Sequence, residues 1–255
     1  MPVITSRAAQ LPPGWTWEFT AFMRRPFTVR SLEPVPVELP MSRDDLARLG
    51  LRGLQFGSGE SVHPSCLNTD LCWLTDGRIV TGRGELYLVD GQSHFIQLDA
   101  REPLPLPSGS FEWVYSEHFI EHLTLAEGIG WLKQCRRVMA PGATLRVTTP
   151  DLRRYAEAYL AGTDEFFDLH RHRIRDFGLP DMDERKAFMI NQMFAFWGHR
   201  WIYDADELRH ALTEAGFAAD TFRVCGFREG RIPAVAALDM EIRNDESIYV
   251  EVTAS

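Results

Sequence analysis

The sequence predicts an α/β fold: a doubly wound, mostly parallel seven-stranded sheet with helices on both faces and a terminal antiparallel strand. Three observations lead there. From Leu51 onward, short apolar runs alternate with amphipathic stretches of helical period. The final run, 247–253, alternates strictly between apolar and polar residues, as a half-buried antiparallel strand does. At 255 residues, with 45% apolar and 25% charged side chains, the chain is large enough for one sizeable core.

Residues 1–50 are expected to form an N-terminal arm. Pro12, Pro13, Trp15, Trp17, Phe19, Phe22, Pro26 and Phe27 rule out a long helix there. Short strands are expected at 16–20 and 27–32. A helix should follow over 42–49, where Ser42 is an N-cap with Asp45 three residues on. Residues 51–255 form the main domain. Its strands are predicted at 51–56, 67–71, 95–98, 111–115 and 144–148. Leu125, Ile129, Leu132, Cys135 and Met139 share one face of a helix that Pro141-Gly142 stops. Asp151 caps a helix to about residue 160, and Asp204 with Glu207 opens another that Gly216 ends. Turn signals at Asp76-Gly77, Gly82, Gly84 and Asp90-Gly91 predict a hairpin-like insertion at about 72–94 instead of a crossover helix. Strands are expected again at 221–225 and 247–253. The segment at about 161–203, rich in His, Arg, Phe and Met, is expected to cover a substrate.

The net charge of −9 argues against nucleic acid as the substrate, since phosphate binding draws on a basic face. Cys66, Cys72, Cys135 and Cys225 are scattered with no C-x-x-C pair, which reads as reduced thiols. No signal-peptide pattern and no apolar run near the ~18 residues of a membrane span is present. The expectation is a cytoplasmic protein with a small-molecule substrate and no membrane contact; a homodimer is compatible with this.

In an open α/β sheet, ligands bind beyond the carboxyl ends of the strands. After the first strand stands Phe56-Gly57-Ser58-Gly59, whose glycines permit close backbone approach to a ligand. Alone it is equally a tight turn. Asp70 ends the second strand, placed to accept from both hydroxyls of a ribose, and Asp99 ends the third, placed to accept from an exocyclic amine. The acid follows the glycines at about half the ~20-residue spacing of a nicotinamide fold, which argues against a dehydrogenase.

Several stretches, in order, resemble class I S-adenosylmethionine (SAM)-dependent methyltransferases, in particular the bacterial type with a short glycine loop. They are 54–59 with 66–71, the run 104–114 (LPLPSGSFEWV), 116–123 (SEHFIEHL), 135–143 (CRRVMAPGA), and Gly198-His199-Arg200 with Glu214-Ala215-Gly216-Phe217. Gln55 stands where many members have an acid, and Ser61 where a third glycine would be. The resemblance implies SAM as cofactor and S-adenosylhomocysteine (SAH) as product. The implied cofactor residues are Phe56, Gly57, Ser58, Gly59, Asp70, Leu71, Asp99, Ala100, Ser116 and Glu117. It implies methyl transfer to O or N of a small molecule, of natural-product kind among others. Two other readings stay open: a non-methylating SAM-assisted cyclisation, decarboxylation or rearrangement, and a non-catalytic binding module.

His118 and His199 are the candidate catalytic groups, because imidazole takes up protons near neutrality. Trp197, Arg200, Trp201 and Tyr203 are candidate substrate contacts around an aromatic pocket. An anionic substrate group would meet Arg171, Arg173 or Arg200, although each also reads as a solvated basic residue. His118-Phe119-Ile120-Glu121-His122 fits H-x-x-E-H, an inverted zinc-protease signature. It follows a strand and lacks a third ligand nearby in sequence, so no metal is expected.

Overall fold

Side-chain caps set where the principal helices begin. In the computed structural model, which describes residues 26–176, 178–179 and 181–254, the elements run β1 (Phe27–Thr28), β2 (Leu32–Val35), α1 (Arg43–Arg48), β3 (Gly53–Phe56), β4 (Cys66–Asp70), β5 (Leu74–Thr75), β6 (Leu86–Val89), β7 (Ser93–Gln97) and β8 (Phe111–Glu117). They continue as α2 (Leu125–Val138), β9 (Met139–Pro150), α3 (Leu152–Leu160), α4 (Glu165–Asp176), α5 (Lys186–Ala195), α6 (Ala205–Glu214), β10 (Arg223–Cys225), α7 (Pro233–Ala236) and β11 (Ser247–Thr253). Ser42 and Thr124 form reciprocal capping boxes with Asp45 and Glu127, while Asp151 and Asp204 cap α3 and α6. The strand expected at 16–20 lies outside the described residues.

The main sheet has nine strands in the order β10-β11-β9-β8-β3-β4-β7-β6-β2. Its centre, from β9 to β7, is parallel, and both flanks are antiparallel. The expected seven-stranded sheet is therefore corrected to a mixed nine-stranded one. The extra strands have a local cause. Asp90 and Gly91 adopt left-handed backbone (φ 52° and 70°), which turns β6 back beside β7 as a hairpin. The second run of the 72–94 insertion thus joins the main sheet, and β2 from the arm adds to it. On the outer side of β2, Leu32 N–H donates to Asp76 at 3.2 Å.

Among the described residues the helices are distributed unevenly over the two faces. One face is helical: α2 and α6 bury Trp131, Leu132, Leu208 and Leu212 in a cluster with Leu54, Leu67, Val114 and Leu145. The opposite face carries the four-residue α7 and irregular chain, with Val235 packed against Cys66, Trp113 and Tyr115. No helix forms in the connection at 57–65. Trp113 also lies so close over Gly53 that an added Cβ would sit 2.2 Å from the indole, so only glycine fits.

What closes that face is charge. Arg146, on β9, is fully buried and is held by Asp239 (Nε–Oδ1 2.9 Å), by Glu251 (3.0 Å) and by the carbonyls of Gly226 and Glu229. Asp239 also accepts from Arg228 N–H at 2.8 Å. The segment 226–246 is thereby pinned across the sheet.

A separate apolar cluster unites α3, α4 and α5 through Tyr155, Phe167, Met189 and Met193. His170 joins it to the residues preceding β11. Its Nδ1 lies 2.8 Å from Asp245, and its Nε2 lies 2.7 Å from the Tyr155 hydroxyl, which itself donates to Glu246. Each ring nitrogen thus faces an acceptor, an arrangement that favours the protonated imidazole. Burial opposes that charge, but Glu246 and Asp245 outweigh it and raise the His170 pKa. Among the described residues no helix is long and apolar enough to cross a membrane.

Two outcomes follow for stability. Arg146→Ala leaves Asp239 and Glu251 buried and unpaired, and should cost about 3–5 kcal/mol, read from denaturant midpoints. The His170 contribution is complete below its ordinary pKa of 6.5 and is lost as pH rises through the raised folded value. Thermal melts across pH 5.5–9 should show that decline in the wild type, and it should flatten in His170→Ala.

Candidate active site

The chain leaves β3 through a turn that requires glycine. Gly57 and Gly59 have φ of 66° and 50°; a Cβ on the first would lie 3.1 Å from Phe119, and on the second 3.3 Å from Phe27. Ser58 N–H donates to Thr69 O at 3.2 Å, tying the turn to β4. Asp70 stands directly beside it. One carboxylate oxygen accepts from Gly59 N–H at 2.9 Å and the other from Cys72 N–H at 2.8 Å. Each oxygen keeps a further lone pair, and burial pushes the carboxyl pKa up. Leu71 offers an exposed apolar surface next to it. A glycine turn, a paired acceptor and an adjoining apolar side chain fit the ribose and base of a nucleoside.

The structure treats the remaining expected cofactor residues differently. Asp99 is engaged by Arg101 through both oxygens (2.8 and 2.6 Å), which holds its carboxyl below the usual range, and Ala100 beside it is buried. Ser116 pairs in register with Phe56, and its buried hydroxyl has no hydrogen-bond partner among the described residues. Glu117 accepts from Met240 N–H at 2.9 Å, so its carboxylate serves the segment that closes the second face.

His118 follows β8 in the left-handed region, at φ 47°, with its N–H bonded to Thr148 O at 3.0 Å. Its Nε2 lies 2.7 Å from Ser247 Oγ, and that hydroxyl gives its own proton to Arg243 O at 2.6 Å. Nε2 is therefore the protonated nitrogen. The Nδ1 lone pair faces Glu121 Oε1 at 3.6 Å and Glu246 at 3.9 Å.

A short 3₁₀ turn, Ile120–His122, then buries Glu121 completely. One of its oxygens accepts from Thr149 Oγ1 at 3.0 Å; the other has no hydrogen-bond partner among the described residues. The Glu121 carbonyl accepts from both Arg200 N–H (2.7 Å) and Trp201 N–H (3.2 Å). Those two bonds bring His199 to the same place, with Nε2 4.0 Å from Glu121 Oε1. His199 Nδ1 donates to Met193 O at 2.6 Å. Burial dominates the electrostatics: it pushes Glu121 up to about 8, His122 down to about 4 and His199 down to about 3. His118 is lowered well below its ordinary value for the same reason. At neutral pH these imidazoles are uncharged.

The expected substrate residues lie on the same segment as His199 but are engaged locally. Arg200 pairs with Glu127 (2.5 Å), the indole N–H of Trp201 donates to Glu207 (2.8 Å), and that of Trp197 donates to Gln192. Tyr203 is fully buried against α2, near Gly128. Arg171 and Arg173 pair with Asp168 and Glu241. Sequence reasoning missed Thr149, Glu246 and Ser247. They come from the ends of β9 and β11, and only the sheet register brings them to His118.

Residues 41–221 match a protein family described as a methyltransferase domain. No curated protein is similar enough to the chain to count as a match. Among solved structures, the chain is similar to a SAM-dependent methyltransferase from Thermotoga maritima (14% identity, 80% of this chain and 82% of that one, TM-score 0.45). It is also similar to one from Archaeoglobus fulgidus (14%, 84% and 96%, TM-score 0.43) and one from Mesorhizobium loti (17%, 80% and 91%, TM-score 0.43).

Proposed function

Since the chain belongs to the methyltransferase-domain family, we propose that it methylates an oxygen or nitrogen of a small molecule held beside His118, in the cytoplasm. The methyl donor is SAM. When bound, it supplies an electrophilic methyl group on a sulfonium. The turn at Gly57–Gly59 and the carboxylate of Asp70 would hold its ribose, with Leu71 against the base.

The observation that carries the reading is the backbone of His118. A non-glycine residue in the left-handed region costs about 1 kcal/mol, and such strain concentrates at functional positions. Here it turns the imidazole at the carboxyl end of β8. The next residue, Phe119, touches Gly57, so the turn and the imidazole are neighbours. The Nδ1 lone pair is fixed by the Ser247 bond and is free to accept a proton. With SAM and the acceptor bound, the C–S bond to the methyl group would break to leave SAH, and His118 Nδ1 would take the proton released from the acceptor's O–H or N–H. His199, held by Met193, orients the acceptor, and on the same segment Trp197 and the exposed Trp201 supply aromatic surface for it. Holding the reactants in line does most of the remaining work.

Incubating the protein with SAM and a panel of phenols, alcohols and amines should yield SAH together with a product one methyl group heavier. Product formation without SAH would overturn methyl transfer. Asp70→Ala should weaken SAM binding by roughly 1.5–3 kcal/mol in calorimetry, since a charged acceptor is lost. His118→Ala should lower kcat about 10²–10⁴-fold while leaving the SAM Kd unchanged.

A further inference from the structure

The geometry points to a binding site for one divalent transition-metal ion of the zinc class, formed by Glu121, His122 and His199. Their ligand atoms all lie within 4.8 Å of one another, and the side chain of His118 faces the same point.

The hydrogen bonds around the cluster leave a specific problem. His199 gives its Nδ1 proton to Met193 O, so its Nε2 is a bare lone pair directed at Glu121 Oε1. His118 gives its Nε2 proton to Ser247, so its Nδ1 is also a bare lone pair directed at Glu121 Oε1. The Glu121 Oε1 atom is fully buried, with no hydrogen-bond partner among the described residues. Two bare imidazole lone pairs thus converge on one unpartnered carboxyl oxygen, and burial favours a proton on that carboxyl when no ion is bound. At 3.6–4.0 Å the pairs are beyond hydrogen-bond reach, so one proton cannot satisfy the group. A cation held by Glu121, His122 and His199 takes the place of that proton and leaves the His118 lone pair uncoordinated. Ligands about 2.0–2.2 Å from such an ion stand some 3.3 Å apart, so a small inward rotation of the side chains completes the shell.

The surroundings are those a metal site needs. The outer nitrogen of His199 donates to a backbone carbonyl, and the outer oxygen of Glu121 accepts from Thr149. The His122 ring packs edge-on against His199, with 5.0 Å between centroids. Two imidazoles and one carboxylate are a zinc-class donor set that leaves a coordination position open. That position faces His118, where an oxygen of the methyl acceptor would sit. This last placement rests on the methyl-transfer reading; the ion itself does not. The H-x-x-E-H motif lacked a third ligand in sequence, and the two bonds from Arg200 and Trp201 to the Glu121 carbonyl deliver it as His199.

The test uses the full chain, stripped with a chelator and titrated with Co²⁺, without SAM or acceptor. One equivalent should bind with visible d–d absorption, and Zn²⁺ should displace it and bleach the bands. The melting temperature should rise on metal addition. Glu121→Gln keeps the shape and the Thr149 bond, and with His199→Ala it should weaken Co²⁺ binding at least 100-fold while far-ultraviolet circular dichroism stays native. Less than 0.1 equivalent bound by the wild type at 100 µM Co²⁺ would overturn the site, leaving a neutral, protonated Glu121 carboxyl in its place. Undiminished binding in both variants would overturn it as well, by placing the ion elsewhere. Neither result depends on whether methyl transfer is found.

Discussion

A single buried guanidinium organises this molecule. Arg146 sits under one face of the sheet, where most folds of this layout would place long helices, and its ion pairs with Asp239 and Glu251 hold an irregular segment in their stead. The dependence runs outward from there. Pinning Asp239 fixes Met240, whose N–H anchors Glu117. The same segment carries Arg243, whose carbonyl takes the Ser247 proton and so decides which nitrogen of His118 is protonated. A charge that costs several kcal/mol to desolvate thus sets the orientation of a ring at the far end of β8.

Two groups of histidines show how partners, not residue type, set charge. His170 has an acceptor on each nitrogen, and its neighbouring carboxylates raise its pKa against burial. His118 and His199 each have an acceptor on one nitrogen only, and burial keeps them neutral with the second lone pair free. Glu246 lies between the groups, accepting from Tyr155 and standing 3.9 Å from His118. It favours the protonated form of His170, while burial, followed by the charge of Arg243, keeps His118 a neutral acceptor.

Much of the fold was legible because its determinants are local. Ser42, Asp151 and Asp204 cap helices where the sequence puts them, and β11 runs over 247–253 as expected, although its polar face is buried as well, with Glu251 on Arg146. The glycine turn and Asp70 meet as their spacing implied. The thin second face was not legible, since Trp113 filling the space above Gly53 is a tertiary fact. Nor was the meeting of Glu121 with His199. Two backbone hydrogen bonds create it, and backbone hydrogen bonds leave no mark on residue identity. The two flanking strands beyond β7 were read as arm and insertion because a three-residue turn, Asp90 to Gln92, decides which neighbour a strand joins.

The outer edge of β2 has one further consequence. In an antiparallel strand, alternate residues turn their amides outward, and on β2 these are positions 32 and 34. The Leu32 amide is spent on Asp76, and Pro34 has none to offer. A foreign strand arriving there would find carbonyls but no donors. At the other end of the sheet, β10 is only three residues long. The nine-stranded sheet therefore ends at both margins in a way that resists templating by another chain, which keeps a wide, partly helix-free sheet from becoming a seed for aggregation.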